Sequence, residues 1–159
     1  MCGIGGWFCW GEDRPSQELV KRLLLANEAR GTDASGLAWI ENNEIYYKKA
    51  AMPAKMMVDN TPETEWASIA ASPLGLIHAR AKTKGDAKDN VNNHPVIGLG
   101  WVVVHNGNIT NDDDLFAYYK TERFADVDTA ALPLVLSLAK DEESLTEIIE
   151  KVTILSGSA

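Results

Sequence analysis

Residues 1–8, MCGIGGWF, place a cysteine directly behind the initiator methionine and follow it with Gly3, Gly5 and Gly6. Chain termini are ordinarily frayed and tolerant of change, so a reactive side chain here needs a reason. Either Cys2 is a small apolar residue on a first strand, expected over roughly Gly3 to Trp7, or the protein uses a thiol and a free α-amine on one residue. The remainder of the sequence discriminates between these two interpretations.

Length and charge narrow the class of protein. The 159 residues fit one domain with a real core, and the formal net charge is −8. No cluster of Lys and Arg stands out, which argues against a nucleic-acid or anionic-membrane surface. No apolar run approaches the roughly 18–20 residues of a membrane span, and no secretory signal is visible. We therefore expect a cytoplasmic protein.

The cysteine and histidine pattern predicts no disulfide framework and no metal site. The chain has two cysteines, Cys2 and Cys9, and disulfide-stapled domains ordinarily have more. His78, His94 and His105 lie far apart in the sequence, and no paired-ligand motif accompanies them. No cofactor is expected either.

Local patterns predict an α+β layered domain. Pro15 and Ser16 introduce a helical pattern, with Gly31 where a helix would end. Two asparagines between apolar runs predict a β-hairpin. The apolar face of this first helix is expected to consist of Leu19, Val20, Leu23 and Leu24. One or two helices are expected over 53–71, followed by a strand LGLIHARA, a polar loop TKGDAKDNVNNHP and two strands in VIGLGWVVVHNG. The rest of the chain is expected to form helices at NDDDLFAYYK, DTAALPLVLSLA and EESLTEIIEKV, and then a strand-like TILSGSA.

A nucleophilic cysteine needs a nearby base or a depressed pKa. If Met1 is removed, Cys2 carries its own base, because α-amines have a pKa of about 7.7–8.0 and a general base works best near its operating pH. The alternative is a small buried cysteine on the first strand, and Cys2 alone does not decide between the two.

The tripeptide HNG at residues 105–107 has two interpretations. Asn-Gly after an apolar run is ordinarily a turn. The asparagine amide beside a glycine N–H also offers two donors that can point at one atom, as in an oxyanion hole.

Two charged residues carry similar alternatives. Arg80, at the end of LGLIHARA, is either a solvated ion-pair partner or a fork for a carboxylate. Asp128, at the start of DTAALPLV, is either a helix N-cap or a partner for an ammonium group. One cation and one anion would suit the two ends of an amino-acid zwitterion.

Taken together, these stretches resemble the class II glutamine amidotransferases, whose glutaminase domain is an N-terminal-nucleophile hydrolase, as in glucosamine-6-phosphate synthase and amidophosphoribosyltransferase. The resemblance covers most of the chain, in the family's order and with similar spacing. It rests on MCGIGG, ARGTDASGLAW at 29–39, IHARAKTKG at 77–85, NNHPV at 92–96, VVVHNGNITN at 102–111 and DVDTA at 126–130.

The resemblance implies a four-layer αββα sandwich, shortened at the C-terminus, with one glutaminase domain over residues 1–159. It implies Cys2 as nucleophile and Asn106 and Gly107 as oxyanion hole. Arg80 and Asp128 would bind the α-carboxylate and α-amine of glutamine, with Thr83 nearby. The matching residues Arg30, Gly31, Asp33, Gly36 and His94 are implied to be structural.

The resemblance further implies hydrolysis of glutamine to glutamate and ammonia, through a γ-glutamyl thioester, with a synthase or acceptor subunit as partner. Ala81 and Lys84 depart from the family, where an aromatic residue and a histidine or other polar residue are frequent. Two alternatives stay open: a stand-alone γ-glutamyl amidohydrolase, and a catalytically silent binding module if Met1 is retained.

Overall fold

A computed structural model of the chain describes residues 1–139 and 146–148. The regular elements with assigned bounds are β1 (Gly3–Phe8), α1 (Gln17–Glu28), β2 (Ala34–Glu41), β3 (Glu44–Ala50), α2 (Ala54–Asn60), α3 (Glu63–Ala71), β4 (Leu74–Arg80), β5 (Val96–Gly98), β6 (Trp101–Val103), α4 (Asp112–Tyr119) and α5 (Ala131–Leu136), with 3₁₀ turns at Asn90–Asn92 and Asp128–Ala130.

The larger sheet is antiparallel, with strand order β1-β4-β2-β3. Its first strand pairs along the whole of β4, with Gly3 opposite Ala79, so the N-terminus is tied down at the end of β4. The predicted hairpin is confirmed. Asn42 and Asn43 link β2 to β3 with φ values of 52° and 63°, the left-handed conformation that a tight hairpin turn requires.

Helices α1, α2 and α3 cover one face of this sheet and enclose an apolar cluster. Ser16 caps α1 as predicted, accepting a hydrogen bond from Leu19 N at 3.1 Å. Two sequence expectations for this helix are wrong: Leu19 is exposed rather than part of the buried face, and α1 ends at Glu28, before Gly31. The cluster contains Val20, Leu24, Leu37, Trp39, Ala54, Met57, Trp66, Ile69, Ala70 and Ile77.

Strands β5 and β6 form a second sheet, on which α4 and α5 pack. They are joined through Leu99 and Gly100, both with positive φ. A second apolar cluster lies between this sheet and its helices. The layers therefore run helix, sheet, sheet, helix, which confirms the predicted α+β four-layer sandwich.

The predicted helix DTAALPLVLSLA is not continuous. It starts as a 3₁₀ turn at Asp128–Ala130 and becomes α5 at Ala131. Pro133 explains the break, because proline has no N–H to bond the preceding turn and is tolerated in the first turn of an α-helix. This start keeps Pro133 in the first turn of α5.

Two sequence predictions fall mainly outside the described residues. In the helix predicted for EESLTEIIEKV, residues 146–148 are described and are helical; Leu145, Ile149 and Val152 lie outside the described part. The strand-like TILSGSA also lies outside it. Across residues 1–139 and 146–148, no helix combines the length and apolar character needed to cross a membrane.

Candidate active site

The N-terminus and the loop after β6 meet at the edge of the larger sheet. The backbone nitrogen of Cys2 donates to Asn106 Oδ1 at 3.1 Å, and the Cys2 thiol lies 3.5 Å from the carbonyl oxygen of Ala81. Met1 projects away, with 84% of its surface exposed. The pairing of β1 with β4 therefore brings the first residues of the chain beside Asn106, 104 positions away in the sequence.

The segment after α1 holds both strand ends in place. Arg30 Nε donates to the carbonyl oxygen of Cys2 at 2.9 Å. Asp33 Oδ2 accepts from the backbone N–H of Lys82 at 2.7 Å. Gly31 lies so close to the backbone at the end of β4 that a Cβ at this position would overlap it. This packing explains the glycine that the sequence placed at a helix end.

Arg80 ends β4 and is buried, with 2% of its surface exposed. Its Nη1 donates to Asn93 Oδ1 at 2.8 Å, and its Nη2 donates to the carbonyl oxygens of Lys84 at 2.6 Å and Gly85 at 3.0 Å. Burial lowers the pKa of the guanidinium, and nearby acidic groups that include Asp128 oppose that effect. The interpretation of Arg80 as a solvated ion-pair partner is therefore wrong.

Lys49 on β3 supports the loop that carries the Asn93 partner of Arg80. Its Nζ donates to the carbonyl oxygens of Asn93 at 2.8 Å and Pro95 at 3.0 Å. Burial, followed by the positive charge of Arg80, lowers the pKa of Lys49 to about 8. Both cations are thus held by main-chain or amide oxygens of residues 84–95.

Asp128 is buried at the start of its 3₁₀ turn. Its Oδ1 accepts from Thr129 N at 2.8 Å, and its Oδ2 accepts from Ile109 N at 2.7 Å. The N-cap interpretation from the sequence is wrong, because the turn begins after Val127 and has no side-chain cap. The carboxylate instead fixes the chain just beyond Gly107 through Ile109 N.

The three histidines of the chain form one cluster in which two of them contact Thr129, an arrangement that the sequence spacing did not suggest. His94 Nε2 and His105 Nδ1 lie 2.9 Å and 3.2 Å from Thr129 Oγ1. His78 Nε2 donates to the backbone carbonyl of His105 at 3.0 Å, and its ring stacks on that of His94 with centroids 4.0 Å apart.

Burial favours the neutral form of the histidines in this cluster. Burial lowers the pKa of His78 to about 4 and that of His94 to about 2, and it also lowers the pKa of His105. Within residues 1–139 and 146–148, no group of three or more His, Cys, Asp or Glu side chains is arranged to hold a metal ion.

His105 also packs against the neighbouring backbone. A Cβ at Gly107 would lie 2.6 Å from His105 Nε2, and that ring is held by Thr129, so it cannot easily move away. Neither Asn106 nor Gly107 has a positive φ, so this Asn-Gly pair does not form the hairpin turn that its sequence ordinarily predicts. The segment instead presents Asn106 beside Cys2.

The structure thus arranges the predicted site residues in two sets. Cys2, Asn106 and Gly107 lie together at the surface, while Arg80 and Asp128 are buried with protein partners. Thr83 is exposed in the loop after β4, and no described contact joins it to the other predicted site residues.

Comparison with known proteins gives the same family as the sequence motifs. The chain is 32% identical over 165 residues to the glutamine–fructose-6-phosphate aminotransferase (isomerizing) of Wigglesworthia glossinidia brevipalpis, covering 96% of this chain and 25% of the relative. It is 38% identical over 113 residues to the enzyme of the same name from Xylella fastidiosa strain Temecula1, covering 70% of this chain and 17% of that relative. No family model matches the chain.

A comparison with solved structures supports the same assignment of the fold. A solved structure described as the allosteric regulatory enzyme of purine biosynthesis superposes with a TM-score of 0.73 at 15% sequence identity, covering 95% of this chain and 33% of the other. The chain is homologous to the class II glutamine amidotransferases. Its fold is the N-terminal-nucleophile hydrolase fold of that class, and its relatives are glutamine amidotransferase enzymes.

The chain spans about a quarter of the length of the Wigglesworthia relative and 17% of the Xylella one. Among the residues of this amidotransferase domain that sequence reasoning missed, Thr129 and Asn93 are central, because each holds a residue of the predicted site. Thr129 follows Asp128, and Asn93 precedes a matched histidine, so both stood inside the matching stretches. The sequence carried no signal that Asn93 contacts Arg80 or that Thr129 contacts His94 and His105.

Proposed function

We propose that this chain hydrolyses the side-chain amide of glutamine, with the Cys2 thiol as nucleophile. The observation that carries the proposal is the 3.1 Å hydrogen bond from Cys2 N to Asn106 Oδ1. It joins the two sequence features that were predicted to supply the nucleophile and the oxyanion hole.

The base is the α-amine that removal of Met1 would create. Met1 is exposed, which leaves it accessible for removal, and a small second residue favours that processing. The nitrogen already held by Asn106 Oδ1 would then be an amine with a pKa of about 7.7–8.0 in its reference state, suited to accept a proton near neutral pH.

The oxyanion hole follows from the orientation of the same amide. Because Asn106 Oδ1 accepts from Cys2 N, the Nδ2 group of Asn106 is the end that can donate to a substrate oxygen. The backbone N–H of Gly107 is the second proposed donor. Two donors aimed at a developing oxyanion stabilise the tetrahedral intermediate, and losing one typically costs about 10²–10³ in rate.

Glutamine would be held by its charged ends. Arg80 engages three of its N–H groups with protein acceptors, and a guanidinium has five, so two remain for the α-carboxylate. Asp128 provides the negative charge for the α-ammonium group, and Thr83 is proposed to lie near the same pocket.

The reaction balances without a further reagent. Sulfur attacks the amide carbon while the thiol proton passes to the α-amine. The carbon–nitrogen bond then breaks and ammonia leaves with that proton, giving a γ-glutamyl thioester. Water hydrolyses the thioester to glutamate and restores the thiol.

The destination of the ammonia is a further part of the proposal. The relatives carry the name of an aminotransferase that uses glutamine and fructose 6-phosphate, and they are longer than this chain. We infer that residues 1–159 form the glutaminase domain of a cytoplasmic system and that the acceptor lies on a separate subunit or on a domain outside this chain.

An intact-mass spectrum after incubation with a diazo-ketone analogue of glutamine tests the proposal directly. Wild-type protein is expected to lack Met1 and to carry one adduct. The Cys2→Ala variant should carry none, whereas Cys9→Ala, which removes the other thiol, should label like the wild type.

Other outcomes favour the alternatives. Retained Met1 with no adduct would identify a silent binding module, because an acylated Cys2 nitrogen is an amide and cannot act as a base. If Cys2 is labelled and no candidate acceptor raises the rate of glutamine hydrolysis, a stand-alone γ-glutamyl amidohydrolase would be favoured. Met1 removal without labelling would contradict the assignment of the glutamine pocket.

A further inference from the structure

Two cations and two carboxylates tie the loop after β4 to helix α4. Lys84 Nζ lies 2.5 Å from Asp112 Oδ2 and 3.2 Å from Asp113 Oδ2. Arg123 Nη2 reaches the same two side chains at 2.5 Å and 2.6 Å. The Asp112 side chain is 3% exposed, so it needs its cationic partners, since an unpaired buried carboxylate is costly.

The main chain of Lys84 contacts the guanidinium of Arg80. The carbonyl oxygens of Lys84 and Gly85 accept both Nη2 hydrogen bonds. Gly85 has a φ of 81°, a conformation that glycine adopts at little cost. Lys84 therefore contacts α4 through its side chain and accepts a hydrogen bond from Arg80 through its carbonyl oxygen.

We propose that Lys84 is a positioning residue for glutamine binding: its ion pair with Asp112 fixes the two carbonyl oxygens that orient the guanidinium of Arg80. This inference rests on the proposed function, in which Arg80 binds the α-carboxylate. A charged group held in its binding orientation before the ligand arrives loses less entropy on binding. Releasing the loop lets the guanidinium leave that orientation.

The arrangement separates this role from a contribution to folding. Lys84 is 38% exposed and Asp113 is 76% exposed, and exposed ion pairs contribute little to stability. If Lys84 is removed, Asp112 still has Arg123 as a partner. The fold is therefore expected to survive the substitution while the loop loses its tie to α4.

Steady-state glutaminase kinetics on the full chain, lacking Met1, test the inference. Lys84→Met is expected to raise KM for glutamine by ~10-fold, the factor that corresponds to 1.4 kcal/mol, with kcat within about twofold. Lys84→Arg should restore KM, because it keeps a cation that reaches Asp112. Lys82→Met is the matched control, since the side chain of Lys82 pairs with Asp86 on the surface at 3.7 Å, and it should leave KM unchanged.

A second variant covers the case in which Lys84→Met does not fold. Asp113→Asn removes the exposed carboxylate and leaves Asp112 in place, so KM should rise in the same direction but by a smaller factor. An unchanged KM in active, folded Lys84→Met, or an equal loss of kcat in Lys84→Met and Lys84→Arg, would overturn the positioning role alone. Wild-type protein that lacks Met1 but neither hydrolyses glutamine nor labels at Cys2 would overturn the proposed function and this inference with it.

Discussion

In the second half of strand β4, from Ile77 to Arg80, both faces are buried, but one face is apolar and the other is polar. Ile77 lies in the apolar cluster beneath α1 and α3, and Ala79 shares its face. The next residue in each case, His78 and Arg80, points the other way, into a layer of polar side chains. The alternation of side chains along one strand thus separates an apolar core from the candidate active site.

The two faces of β4 contribute differently to the stability and the chemistry of the protein. Burial of Ile77 stabilises the fold through removal of apolar surface from water. Burial of His78 and Arg80 is unfavourable unless hydrogen bonds compensate, and the Nδ1 atoms of His78 and His94 have no partner among the described residues. Changes on the apolar face should therefore alter stability, and changes on the polar face should alter pH dependence and glutamine kinetics.

Ile77→Ala is expected to have the largest effect, lowering the free energy of unfolding by about 2–5 kcal/mol as buried large-to-small substitutions do. Urea denaturation measures it. Ile77→Val should cost about 0.5–1.5 kcal/mol, and Ile45→Ala, at an exposed position of the same sheet, should cost less. The activity of the folded fraction should be unchanged in all three; a change in KM would show that the two faces are not independent.

Acidification should destabilise the protein through the polar face. The pKa values of His78 and His94 in the fold are about 4 and about 2, below the unfolded value of about 6.5. The stability from keeping these rings neutral is present above pH 6.5 and is lost as pH falls, because the unfolded chain binds protons first.

For the two rings together, we expect a loss of about 4 kcal/mol between pH 7 and pH 5, from the linkage relation. Urea midpoints measured across this window check it, since most carboxylates remain ionised there. His78→Gln, which does not titrate, should flatten the dependence. An equally steep fall in that variant would assign the acid sensitivity to other groups.

Arg80→Lys tests whether the buried guanidinium binds substrate. Lysine keeps the charge but loses the planar fork that matches a carboxylate, so KM for glutamine should rise by ~100-fold, equivalent to about 2.7 kcal/mol. Arg22→Lys is the control, because Arg22 contacts only Glu18 on the surface of α1 among the described residues. If Arg80→Lys leaves KM unchanged, the role of Arg80 is confined to its contacts with residues 84–93.

Sequence patterns predicted the features that depend on neighbouring residues. Ser16 at a helix start and the pair Asn42–Asn43 act within a few positions, so their effects can be recognised locally. Gly31 was assigned to a helix end because that is the usual local role of glycine. Its actual role is to admit the backbone at the end of β4, a contact across about fifty residues that no local rule contains.

The candidate site divides in the same way. Cys2, Asn106 and Asp128 stood out because each carries a recognisable chemical group in a matching motif. The cluster of three histidines beside Thr129 was not predicted, because it arises only where the end of β4, the loop before β5 and the loop after β6 meet. The sequence separations between them suggested that the histidines were unrelated.

Thr129 offers the finest test of the polar face. Thr129→Val keeps the shape of the side chain but removes the hydroxyl that His94 and His105 contact, whereas Thr129→Ser keeps the hydroxyl. Because His105 immediately precedes Asn106 and packs on Gly107, the valine variant should lower kcat by ~10-fold through a small displacement of the oxyanion hole. Thr129→Ser should retain kcat. Equal activity of the two variants, measured with folded protein at neutral pH, would mean that the hydroxyl holds the histidines without influencing Asn106, and that the polar face is coupled to catalysis through Arg80 rather than through the histidines.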